Sequence, residues 1–365
     1  MDAGRTPSAP EAPPSAHEGV WGWCRSRLFA SPLNIVLTVL IAWMLLMVLP
    51  GVFEWLFIRA NYTATNAQEC RASSGACWAF IVAKHRLILF GTYPYDEQWR
   101  PMLATIILIA VIICSCLRRF WRPTLVFIWL VALGAVALLM WGGVLGLSLV
   151  EDDRWGGLPL TLILSTFGIA FAFPLGVLLA LGRRSDMPAV KALCVMYIEL
   201  IRGVPLISLL FMSSVMLPLF LPEGVNIDKL LRAQIAIILF AAAYIAETVR
   251  GGLQAIPKGQ YEGAQSLGLT YWQLMRKIIL PQALKIVIPP LVSIFISLFK
   301  DTSLVVIIGI FDLTQAAKAA LADAAWRGFD IEAYLFIALI YFMFCFSISR
   351  YSQSLERQLD AGYQR

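Results

Sequence analysis

The sequence predicts an all-α integral membrane protein with about eight transmembrane helices, and three observations carry that prediction. First, 59% of the 365 residues are hydrophobic and only 14% are charged, with a mean hydropathy of +0.76. Soluble domains average about 45–50% apolar and about 25% charged residues, so much of this excess must face lipid. Second, the apolar residues gather into eight runs close to the roughly 20 residues that cross a bilayer as a helix. Third, strand-like alternation is absent, and barrel strands would be about half as long.

The runs are approximately 33–58, 101–117, 124–150, 157–181, 193–221, 233–250, 283–310 and 333–349. Residues 1–32 precede them as a polar tail and entry. Its first 18 residues carry Pro7, Pro10, Pro13 and Pro14 and read as disordered. They lack the basic-then-apolar order of a cleavable signal peptide. Three runs fall within 33–150, around a polar loop at 59–100. Five occupy 151–350, and a short tail, 351–365, follows.

Lys and Arg near the run ends set the orientation. With the N-terminus in the cytoplasm, four clusters fall on the cytoplasmic side. They are Arg118, Arg119 and Arg122; Arg183, Arg184 and Lys191; Lys258, Arg276 and Lys277; and Arg350, Arg357 and Arg365. Glu151, Asp152, Asp153, Asp312, Asp323, Asp330 and Glu332 fall on the other side. Loop 59–100 runs against the trend with Arg59, Arg71, Lys84, Arg86 and Arg100. Its stretch from Trp78 to Phe90 reads as a helix lying along the membrane surface. Both termini are then cytoplasmic. The net charge of +6 is a topology signal and not a nucleic-acid footprint, because the basic residues sit between apolar runs.

Cys114, Cys116, Cys194 and Cys345 lie inside apolar runs and read as inert packing residues. Cys114 and Cys116 have no second Cys or His pair nearby to complete a tetrahedral metal site. Cys70 and Cys77 share the polar loop, and could form a disulfide if that loop is periplasmic; spacing alone does not give the geometry. His17 and His85 read as solvated or interfacial residues. No nucleophile-and-base arrangement is evident, and no G-x-x-x-x-G-K-[ST] phosphate loop occurs. The chain therefore reads as a non-enzyme that binds no cofactor of its own.

Residues 251–282 read as a cytoplasmic insert of two short helices. Pro257 suits a first helical position, and Gly268 suits a left-handed helix end. Thr270 with Gln273 matches a capping box that starts the second helix, and Pro281 can begin the next span. The first helix is rich in small residues, Gly259, Gly263, Ala264 and Ser266, which let another protein approach closely. Tyr261, Glu262 and Gln265 offer contacts around them. Leu274, Met275 and Ile278 would anchor the second helix to the bundle.

This insert resembles the coupling loop of ABC importer permeases, written E-A-A, three residues, G, nine residues, I, one residue, L-P. Glu262-Gly263-Ala264, Gly268, Ile278, Leu280 and Pro281 keep every interval, with Gly263 in place of the first Ala. In that family the loop inserts into a cleft of the ATPase subunit. The resemblance thus assigns ATPase coupling to Tyr261, Glu262, Gly263, Ala264, Gln265 and Gly268. The segment Glu199 to Leu206 is similar to the E-x-x-R-G-T-P-L of permeases for polar amino acids, with Val204 for Thr. Ala243 to Gly252 and Lys300 to Leu304 also look like that subfamily. The match covers about 157–349. Residues 33–150, with the stretch from Gly91 to Pro101, resemble the extension of the M-type permease of general L-amino acid importers.

The resemblance implies a permease subunit of the bacterial inner membrane, with its permease domain at 151–350. It implies two ATPase subunits carrying ATP and Mg, a second and different permease, and a periplasmic amino-acid-binding protein. The substrate would be an L-amino acid, and transport would proceed by alternating access. Two other readings are an ion-gradient-driven secondary transporter, which leaves the 251–282 insert without a role, and a non-transporting scaffold, which leaves the intramembrane charges without one.

Those charges are costly in lipid. Glu199 and Arg202 are three apart and can face each other, as can Glu247 and Arg250. Each pair either holds helices together or belongs to the inner gate or substrate path. Lys300 and Asp301 are adjacent and point about 100° apart, so each needs its own partner or a locally opened helix. Pro289 and Pro290 already disturb that run. With Thr302 and Ser303 they either contact substrate or bond within the bundle.

Overall fold

Proline and glycine set where the helices break. The computed structural model describes residues 19–222, 224, 225 and 227–360. The tail to residue 18, with His17, and Arg365 lie outside the described residues. Described residues are overwhelmingly helical, with two isolated β-bridges. Among the described residues, seven helices are long and apolar enough to cross a membrane: Pro32–Ile58, Tyr95–Cys116, Thr124–Trp141, Gly157–Arg183, Lys229–Ala255, Ile288–Ile308 and Asp330–Gln358. The pair Pro188–Gly203 and Leu206–Phe220 makes an eighth if counted as one span, although it bends by 103°.

Three of the expected runs therefore change shape. The run 193–221 is two helices, because Pro205 has no N–H to donate and forces Val204 to extended angles, φ −111° and ψ 134°. The run 124–150 stops at Trp141, where Gly142, Gly143 and Gly146 take φ of 69°, 78° and 78°. The run 283–310 restarts at Ile288 and tightens to 3₁₀ geometry from Thr302 to Ile308.

Two compact units make up the chain, residues 1–79 and 80–365, so this division falls inside the 33–150 extension. The first unit holds α1 (Val20–Arg27), α2 (Pro32–Phe53, continued by a π turn to Ile58) and α3 (Ala67–Ala72). Asn66 caps α3 by accepting from the Glu69 amide at 2.9 Å, while the Glu69 carboxylate accepts from the Thr65 amide at 2.9 Å. Cys70 and Cys77 are joined in a disulfide with Cα atoms 5.6 Å apart. The Trp78 indole donates to the Leu56 carbonyl at 2.8 Å. Five further cysteines are free.

In the second unit, α4 (Trp78–Phe90) contributes from Phe80 onward. On this helix Phe80 and Ile88 are fully buried, while Val82 on another face is exposed. The Phe80 ring packs against Trp326 and Phe329 at 6.2 and 5.9 Å. Lys84 pairs with Asp323 and holds its carboxyl below the usual range. Next come α5 (Trp99–Cys116) and α6 (Thr124–Trp141), which share a core of Ala104, Leu108, Val136, Leu139 and Met140 with Leu162 and Ile163 of α7 (Gly157–Arg183).

Arg100 is completely buried in this region. Its Nε donates to the Leu139 carbonyl at 2.7 Å, Nη1 donates to the Ser148 carbonyl at 3.0 Å, and it pairs with Glu97. The Leu139 carbonyl lies in the last turn of α6. The amide four residues on, from Gly143, turns instead to Leu147. Tyr93 donates to the same carbonyl at 3.2 Å, and burial pushes its phenol up to about 12. A Cβ on Gly142 would overlap Arg100 Nη2 and the Ser148 carbonyl.

The remaining elements are α8 (Pro188–Gly203), α9 (Leu206–Phe211), α10 (Lys229–Ala255), α11 (Lys258–Ser266), α12 (Tyr271–Leu274), α13 (Leu280–Ile286), α14 (Ile288–Asp301), α15 (Leu313–Leu321) and α16 (Asp330–Asp360). Small residues four apart on α7, Gly168, Ala172, Gly176 and Ala180, let α10 approach closely. A Cβ on Gly176 would lie 2.6 Å from Ile245 and 2.9 Å from the Ala242 carbonyl. Asp312 is buried and caps α15 by accepting from the Thr314 and Gln315 amides at 2.9 Å each. Burial still raises its carboxyl.

Two outcomes follow for experiment. Arg100→Ala should destabilise the protein by about 2 kcal/mol, since it removes the bonds to the Leu139 and Ser148 carbonyls and the pair with Glu97 from a fully buried position, and should lower Tm in detergent; an unchanged Tm would refute the role given to Arg100. Alkylation of unfolded chain without reductant should modify the five free cysteines, and all seven after reduction, as read by mass spectrometry.

Candidate functional site

The functional candidates fall at three places: a helical hairpin, a charge cluster on α7, α8 and α10, and a cavity lined by Asp301. The hairpin starts where α10 ends, because Pro257 cannot continue the ladder; Ile256 and Pro257 take extended angles. α11 follows, with Pro257 at its cap position and not, as expected, inside it. Gly268 turns the chain with φ +72°. Thr270 and Gln273 form both halves of the expected capping box. Pro281 does not begin a new helix. α12 and α13 are continuous through a π turn at Met275–Ile279, which accommodates the ring that would clash with the preceding carbonyl.

Glu262, Gly263, Gln265 and Gly268 lie exposed on this hairpin. A Cβ on Gly259 or Gly263 would meet nothing within 4 Å. Two of the six coupling candidates face the bundle instead. Ala264 is buried, and Tyr261 is half-buried with its hydroxyl turned inward. Leu274, Met275 and Ile279 anchor the second arm. Sequence reading missed the apolar tip, where Leu267 is 77% and Trp272 66% exposed. The signal was two large apolar residues on either side of the Gly268 turn.

The inward contact of Tyr261 has a cause in the sequence. The Leu253 carbonyl would bond the amide of residue 257, and Pro257 has none. Arg184, at the end of α7, donates to that carbonyl at 2.9 Å and to the Tyr261 hydroxyl at 3.0 Å. Tyr261 donates to the same carbonyl at 3.1 Å. The Arg184 guanidinium lies 5.5 Å from the Tyr261 ring centroid.

One residue earlier, Arg183 enters a charge cluster. Its Nη1 lies 2.9 Å from Glu199 and 3.2 Å from Glu247. Arg250 pairs with Glu247 as expected. Glu199 and Arg202 do not take each other as ion-pair partners. Arg202 turns to Glu247 at 3.8 Å and lies 5.7 Å from the Tyr244 ring centroid. Each looks across to a neighbouring helix, because α8 presents this face to α7 and α10. The cluster holds three arginines and two glutamates. Sequence reading counted Arg183 only as a topology determinant.

The four polar residues at 300–303 separate. Asp301 lines a cavity of about 330 Å³ with Phe240, Ala241, Tyr244, Ser293, Ile294, Ser297 and Leu298. Lys300 is exposed, and Thr302 is buried with its hydroxyl donating to the Phe299 carbonyl at 2.7 Å. Ser303 is half-buried. Tyr244 both lines the cavity and packs beneath Arg202, so it joins the two features. The cavity offers one carboxylate, three hydroxyls and an apolar wall. Among the described residues, no group of three His, Cys, Asp or Glu could hold a metal.

Glu247→Gln removes the carboxylate that three arginines share. It should cost about 1–2 kcal/mol. The loss should be smaller in an Arg250→Gln background, as read from Tm in a double-mutant cycle. Additive losses would show that the two residues do not act as a pair.

The family model described as "Binding-protein-dependent transport system inner membrane component" matches residues 172–360. The inner membrane amino-acid ABC transporter permease protein YhdY of Escherichia coli (strain K12) is 51% identical over 346 residues, 93% of this chain and 93% of that protein. The glutamate/glutamine/aspartate/asparagine transport system permease protein BztC of Rhodobacter capsulatus is 40% identical over 423 residues, 98% of this chain and 97% of that protein. Among solved structures, an amino acid ABC transporter with histidines is 35% identical, over 54% of this chain and 90% of that one, with a TM-score of 0.49. The chain belongs to the binding-protein-dependent transport system inner membrane components, and within them to the amino-acid ABC transporter permeases.

Proposed function

We propose that this chain is one permease subunit of an ATP-driven importer of polar or diverse L-amino acids, coupled to a separate ATPase through residues 258–281. The observation that carries the reading is the exposed face of the hairpin. It presents Gly259 and Gly263 with open space above them, beside exposed Glu262, Gln265, Leu267 and Trp272. A small-residue face flanked by apolar side chains suits close docking of another protein. BztC is named for transport of glutamate, glutamine, aspartate and asparagine, and that likeness favours polar substrates here.

In this reading two ATPase subunits bind ATP and Mg, and this chain binds neither. A second, different permease completes the path, and a periplasmic amino-acid-binding protein delivers substrate. Residues 151–350 form the permease domain and 33–150 its extension. Both termini and the hairpin face the cytoplasm. ATP binding closes the ATPases, moves the hairpin and turns the cavity outward. Asp301 is suited to a substrate ammonium, and the neighbouring serines and Tyr244 to its other polar atoms. An ion-coupled carrier would leave the exposed hairpin face without a role.

The test is Gly263→Arg in the intact complex. Membrane content of the chain should be unchanged. Uptake of a mixture of radiolabelled L-amino acids should fall to background, and the ATPase should no longer copurify or should lose stimulation. Normal uptake with normally stimulated ATPase would refute the docking reading.

A further inference from the structure

The hairpin is not attached to the bundle by its chain ends alone. Its first helix is also clipped through the Tyr261 hydroxyl, which meets Arg184 of α7 and the Leu253 carbonyl of α10 within 3.1 Å. Two of the three bonds end on the Leu253 carbonyl, which Pro257 leaves without its helical partner, and the third joins Arg184 to the Tyr261 hydroxyl. A cation at a helix end is also favoured by the helix dipole.

The covalent neighbour of Arg184 extends the connection. Arg183 lies within 3.2 Å of Glu199 on α8 and Glu247 on α10, and Glu247 also holds Arg250. α8 is the half-span that breaks from α9 at Pro205. Tyr244, one turn before Glu247 on α10, lines the Asp301 cavity. Arg184 and its neighbour Arg183 thus join α11 to α8 and α10 through side chains, beside the chain connection at 256–257.

We infer that Arg184 is a positioning residue for coupling: through Tyr261 and the Leu253 carbonyl it ties movement of the hairpin to the charge cluster beside the cavity. This rests on the hairpin being the docking element. It assigns a role to a residue outside the 258–281 segment and not expected to touch the ATPase. Tyr261 becomes the inner end of the linkage and not a docking contact.

The experiment uses the whole transporter, this chain with its second permease and ATPase subunits, reconstituted in liposomes. The readout is radiolabelled L-amino acid mixture taken up per ATP hydrolysed, beside the yield of copurified ATPase. Arg184→Ala should keep the ATPase bound and lower uptake per ATP by about tenfold, within the usual range of coupling between sites. Arg184→Lys, which can still donate to both oxygens, should recover most of the loss. Tyr261→Phe should lower the ratio in the same direction. The double variant Arg184→Ala with Tyr261→Phe should be no worse than the worse single one, because both break one clip.

An unchanged ratio in Arg184→Ala, or losses that multiply in the double variant, would overturn the inference. Loss of the ATPase from Arg184→Ala would do the same, by making the residue part of the docking surface. Should Arg184→Ala fail to reach the membrane, Tyr261→Phe decides alone: a normal ratio overturns the inference. Gly263→Arg, run in parallel, separates the two claims. Abolished uptake there with a normal Arg184→Ala leaves the docking reading standing and removes only this one.

Discussion

A buried carbonyl that the ladder of its own helix leaves open must find another donor, because water does not reach it. In this chain arginine supplies it three times. Arg184 reaches the Leu253 carbonyl stranded by Pro257. Arg232 reaches the Ser214 carbonyl at 2.6 Å, and the amide four residues on belongs to Pro218. Arg100 reaches the Leu139 carbonyl left open where the Gly143 amide turns away. A helix end is thereby also a point of attachment. Each of these three arginines comes from a different helix, so each of these three open ends becomes a bond to another element.

The packing between those points is of another kind. α7 and α10 meet along Gly168, Ala172, Gly176 and Ala180, where backbone approaches backbone and shape supplies the specificity. The two modes divide the labour of the fold. Close apolar contact sets the rigid axis, and arginine-to-carbonyl or arginine-to-carboxylate contacts gather at the helix termini. The charge cluster of Arg183, Arg202 and Arg250 with Glu199 and Glu247 belongs to the second kind. It joins α7, α8 and α10 at one end of that axis.

Helix positions were legible in the sequence because apolar length is a local property. So were the Thr270–Gln273 capping box and the Gly268 turn, since capping needs only residues three apart. Pro205 and the glycines after Trp141 were visible as letters, but length alone gave them no weight against a continuous apolar run. Partners across helices were not legible. Glu199 sits three residues from Arg202, yet takes Arg183, because helix contacts decide among equally spaced charges. The inward turn of Tyr261 and the separation of Asp301 from Thr302 and Ser303 depend on neighbours far away in the chain. The companion surface of the Trp78–Phe90 helix, at Trp326 and Phe329, had no local sign for the same reason.

That last contact fixes an order of events during synthesis. Phe80 and Lys84 leave the ribosome long before Trp326, Phe329 and Asp323 exist. At roughly 5–20 residues per second the wait is on the order of 10–50 s. Throughout that time the Phe80 ring lacks its Trp326 and Phe329 neighbours, while helix after helix enters the bilayer. The joint can close only when the segment before α16 has emerged. α4 therefore serves as a clasp fastened late, and the chain is unfinished as a structure until nearly its last helix has been made.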